Sequence, residues 1–152
     1  MRFAFRAWRI LSATGALVAL CLGASSLAWS QDLYLIAHPQ LRVSIDDVRE
    51  AYLGDMQFSG PVRLKPVHHA ANHAHFVEGV LRMTPDRYGI WWTKKSFRDG
   101  LNPPDTRSTD EEIVKYVSTT PGALGYVASV PVGDVQIVQK VQVGERREAG
   151  RR

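Results

Sequence analysis

Cysteine is nearly absent: Cys21 is the only one in 152 residues. It lies inside an apolar stretch, residues 10–22, so the remainder of the chain has no disulfide to rely on. That stretch is also the longest apolar run, and it is too short for a stable membrane span. No basic stripe with interleaved aromatics runs through the body, which leaves a nucleic-acid partner without support. There is no nucleophile elbow and no His-Glu-x-x-His, no cofactor motif, and no internal repeat. An enzyme is not expected.

The chain does contain an export signal. Arg2, Arg6 and Arg9 form a cationic start, the apolar stretch follows, and Ala28 and Ser30 place small residues before Gln31. This pattern predicts a secretory signal peptide over 1–30. Leu20 before Cys21 is too bulky for a lipoprotein cleavage site. Residues 31–152 then form the mature chain, 122 in all, and the formal net charge falls from +4 to +1. That length suits one modest domain, 31–143, in a bacterial periplasm. Arg146, Arg147, Arg151 and Arg152 fall in a polar stretch, 144–152, too poor in apolar residues to pack; it is expected to be a disordered basic tail.

Residues 33–37 are a short β-prone run stopped by Pro39. Ser44 and Asp47 form a capping box, Ile45, Val48, Tyr52 and Leu53 one apolar helical face, and Gly54 the stop. A turn at Ser59-Gly60-Pro61 leads to a strand over 62–67, with Pro66 implying an edge position or a strand end. Phe76, Val77, Val80 and Leu81 mark a short amphipathic helix. Thr84-Pro85-Asp86 opens another, which carries Tyr88, Trp91 and Trp92 and ends between Phe97 and Gly100. One of the two tryptophans should be buried and the other partly exposed. A proline-bearing loop spans 101–106, and Thr109 with Glu112 caps a helix with Ile113, Val114 and Val117 inward. Gly122 and Gly125 flank the entry to a buried strand over 122–129, where a Cβ would clash. The last strand, 135–143, should turn Val135, Ile137 and Val141 inward. The order predicts an α/β fold, a small mixed sheet flanked by helices.

Taken in sequence, these segments resemble a known family. An apolar strand, a helix ending in Tyr52-Leu53-Gly54, a helix with Trp91-Trp92 followed by Phe97 and Gly100, then Pro103-Pro104, and Thr120-Pro121-Gly122-Ala123-Leu124-Gly125-Tyr126-Val127 are similar to the phosphate-binding proteins of bacterial phosphate ABC importers. The likeness is closer to the small stand-alone phosphate-transporter substrate-binding-like domains of that type II periplasmic binding-protein superfamily. It covers residues 33 to 129, with Gly54, Trp92, Gly122, Gly125 and Tyr126 as its structural markers. It implies one lobe of a type II binding protein, and phosphate or a similar small anion as ligand. The family loop Arg-x-Asp-x-Ser-Gly-Thr is replaced here: His69 stands at the arginine, Ala71 at the aspartate, His73 at the serine, Ala74 at the glycine and His75 at the threonine.

The segment His68, His69, Asn72, His73 and His75 is therefore the candidate ligand site. Three readings stay open. Protonated histidines at a helix start would attract a small anion. His69 and His73, four apart on a helix, would chelate a transition metal. Alternatively, the imidazoles and Asn72 simply satisfy a solvated helix start. The function classes that follow are an exported solute-binding-like protein, a periplasmic interaction module beside a membrane-protein partner, and a metal binder.

Overall fold

The computed structural model describes residues 31–144. The signal peptide expected over 1–30, and all of the expected tail except Gly144, lie outside the described residues. Strands β1 (Gln31–Ala37), β4 (Lys65–His69), β5 (Asp105–Arg107), β6 (Ala123–Val127) and β7 (Gln136–Val143) make one mixed sheet in the order β5-β4-β6-β1-β7. Strands β2 (Phe58–Ser59) and β3 (Val62–Arg63) form a separate hairpin. β4 is parallel to β5 and β6, whereas β1 is antiparallel to both β6 and β7, so β1 alone runs against the others. Helices α1 (Ile45–Leu53), α2 (His73–Gly79), α3 (Pro85–Asp99) and α4 (Asp110–Thr119) cover the sheet. Among the described residues no helix is long and apolar enough to cross a membrane.

Strand alternation builds two cores. Leu33, Leu35 and Ala37 of β1, with Leu124 and Tyr126 of β6, pack against α1, α2 and α3. Ile36, Ala123 and Val127 face the other way, onto Ile113, Val114 and Val117 of α4. Helices on both faces follow from connection handedness. The chain steps outward from β4 to β5 through α2 and α3, then back past β4 to β6 through α4. Keeping both crossovers right-handed requires opposite faces. The α4 layer sits close because Gly125 has no side chain: a Cβ there would stand 2.6 Å from Ile113.

The local signals are realised. Ser44 and Asp47 make the reciprocal capping box, Thr84 caps α3 ahead of Pro85, and Thr109 accepts from the Glu112 N–H. Three expectations are corrected. The strand over 62–67 is broken at Leu64, so that β3 joins the hairpin and β4 the main sheet. Pro66 is tolerated in β4 because β5 begins to pair only at Val67, which leaves no ladder partner on that side. The loop 101–106 contains the start of β5. Ile137 is exposed rather than inward, since a bulge opposite Leu35 and Ile36 shifts the β7 register and turns Val138 toward the core instead.

Candidate functional site

His68 and His69 end β4, and neighbouring strand residues point to opposite faces. His68 enters the larger core among Tyr52, Phe76, Tyr88 and Tyr126. The Tyr88 hydroxyl donates to the Tyr52 carbonyl at 2.8 Å, so it accepts from His68 Nε2–H at 2.9 Å. His68 Nδ1 must then accept from the Tyr126 hydroxyl at 3.0 Å. The imidazole is thus fixed as one neutral tautomer. Burial, with the neighbouring His73 ring adding to it, pushes its pKa down to about 3. The hydroxyls of Tyr88 and Tyr126 are pushed up by the same burial.

His69 is buried on the α4 side. Its Nδ1 accepts from the Ala71 N–H at 3.1 Å, which places the proton on Nε2, 3.0 Å from Asp110 Oδ1. Asp110, the first residue of α4, also accepts from Ala128 N–H at 3.3 Å, from Ser129 N–H at 3.0 Å and from the Ser129 hydroxyl. Burial alone would raise this carboxyl. The bonds from Ser129 and Ala128, with the His69 ring, more than offset that and hold its pKa below the usual carboxylate value. Serine, histidine and aspartate meet here in an order that cannot make a nucleophile. The carboxylate lies between the other two, the serine proton points to it, and no imidazole nitrogen receives that proton.

The remaining candidates scatter. Asn72 is buried, makes no side-chain cap to α2, and accepts instead from Gln31 Nε2 at 2.8 Å. His73 opens α2 half-buried, its ring 4.7 Å from that of His68, and burial lowers its pKa. His75 Nδ1 is buried without a hydrogen-bond partner. The structure therefore brings His68 and His73 together and sends His69 to the far face. The helical chelate expected of His69 and His73 does not form, because His69 belongs to a strand and only His73 to a helix. Among the described residues no group of three or more His, Cys, Asp or Glu is placed to hold a metal. A cleft of about 460 Å³ opens at the opposite end of the sheet, lined by Gly54, Arg63, Lys65, Trp92, Asn102 and Tyr116 among others, and no histidine borders it.

The structural markers have physical reasons. Trp91 Nε1 donates to the Leu53 carbonyl at 3.0 Å and Trp92 Nε1 to that of Tyr52 at 3.2 Å, satisfying two carbonyls that the end of α1 leaves free. Lys95 pairs with Asp55 just beyond. Gly54 has φ +71°, and its missing Cβ would lie 2.7 Å from the Trp92 ring. Trp92 is buried and Trp91 partly exposed, as the helical spacing required. Sequence reasoning missed Asp110, which reads locally as an ordinary first-turn acid. It also missed Tyr88 and Tyr126 as partners of His68. No family model matches the chain, and no curated protein matches it.

Proposed function

We propose that this chain is an exported, non-enzymatic lobe of the solute-binding type that serves as a periplasmic accessory module, docking an acidic segment of a partner protein on the outer face of α3. Phe97 carries the reading: it is 90% exposed, with Ile90 two turns earlier at 56% and Trp91 at 37%. Residues 90, 94 and 97 share one helical face. Arg87, Lys94 and Arg98 are exposed around it, Arg98 being paired with Asp99. Inward packing of α3 uses Tyr88, Trp92 and Lys95, so the outer apolar pair has no role inside the fold. An aromatic anchor framed by cations suits a partner segment that is apolar at its centre and acidic at its rim.

A photo-crosslinking residue at position 97, in cells of the natural host, is expected to trap a discrete protein adduct. Ile90→Asp or Lys94→Glu should abolish the adduct, and the same residue at the exposed position 142 should trap none. Phe97→Asp should leave unfolding stability within about 0.5 kcal/mol, because the ring is exposed. Adducts only with a second copy of the chain, pelleting with anionic phospholipid vesicles in place of an adduct, or no adduct at all, would count against the reading.

A further inference from the structure

Strands β4, β5 and β6 are parallel, and their carboxyl ends meet at one edge of the sheet. The chain leaves β4 toward α2 on one face and leaves β5 toward α4 on the other. Over the ends of β4 and β6 four donors converge from two separate segments: His69 Nε2 from β4, and the Ala128 N–H, Ser129 N–H and Ser129 hydroxyl from just beyond β6. The Ala71 N–H holds His69 in the donor form. Successive backbone amides with a hydroxyl and an imidazole N–H form a concavity for an oxyanion.

We infer that this edge is an oxyanion hole filled by the chain's own Asp110 carboxylate, a tethered ligand whose removal leaves a site for a small free carboxylate such as formate. Without the Asp110 side chain the hole would open to solvent, because that side chain retains 20% of its exposure and borders a groove of about 350 Å³ with Ser129, Lys115 and Val130. The helix start alone would be poor evidence for a site. The decisive point is that a carboxylate already sits on these donors, with both of its oxygens engaged. In the intact protein the hole is therefore closed to outside anions, and it differs from any site at α2.

The test is anion rescue of Asp110→Ala. Thermal unfolding of this variant is compared in formate and in chloride, each at about 200 mM, with refolding from urea under both salts. The variant should melt below the wild type in chloride and recover at least half of the lost midpoint in formate. Adding Ser129→Ala, an exposed change, should raise the formate concentration needed for half-rescue about tenfold, because one bond to the anion is lost. An Asp110→Ala protein that formate does not rescue, or that refolds in neither salt, overturns the inference. So does a rescue indifferent to Ser129.

Discussion

Gly122→Ala is expected to lower unfolding stability by about 4 kcal/mol, as measured by urea titration at neutral pH. Gly122 has φ +80°, and a Cβ there would stand 2.0 Å from the Arg63 carbonyl oxygen. A side chain in this left-handed conformation costs about 1–2 kcal/mol. Overlap with a main-chain atom adds a further 1–3 kcal/mol or so, since Arg63 can move only with its backbone. That backbone is tied down by the Lys65 N–H, which donates to the Gly122 carbonyl at 2.8 Å. Gly100→Ala is the control: φ is +67° and nothing lies within 4 Å, so the loss should be about 1 kcal/mol. Equal losses at the two positions would show that Arg63 yields freely.

Acidification should destabilise the protein well above the range where carboxylates titrate. The unfolded chain protonates His68 near its ordinary value of 6.5, whereas the folded chain resists until about 3. Between these values the unfolded state holds more protons, so native stability falls as pH falls. One such proton is worth about 1.4 kcal/mol per pH unit, or about 2 kcal/mol between pH 6.5, where the unfolded imidazole is half protonated, and 4.5. His73, also lowered by burial, works in the same direction. Asp110 has a depressed carboxyl, so its contribution persists through this window and is lost only at lower pH, through its folded pKa. His68→Gln keeps a donor and an acceptor for the two tyrosines and should flatten the slope by about one proton. An unchanged slope between pH 6.5 and 4.5 would remove His68 as the cause.

Elements specified by neighbouring residues were readable from the sequence. The Ser44 and Asp47 box, Pro85 behind Thr84 and the positive φ of the glycines at 54 and 122 are local features, and the fold uses each of them as expected. β5 was not readable because Asp-Thr-Arg has no β-prone apolar pattern; its pairing with β4 makes it a strand. The bulge that exposes Ile137 depends on register against β1, which no local pattern records. The candidate site failed to assemble for a related reason. The histidine spacing suggested one helix, but the strand persists through His69, and its alternation divides the pair between two cores. Tyr88, Tyr126 and Asp110 complete those environments from far along the chain.

The reversed strand β1 has a consequence for how the molecule is made. Its Tyr34 pairs with Val127 and its Gln31 with Val143, so both neighbours are distant in sequence. A polypeptide emerging from the ribosome offers β1 no ladder until β6 and β7 have been synthesised. Closing so wide a loop is entropically slow, and collapse into the finished sheet must come late. Until then β1 has no place in the sheet, and the larger core lacks the strand that carries Leu33, Leu35 and Ala37.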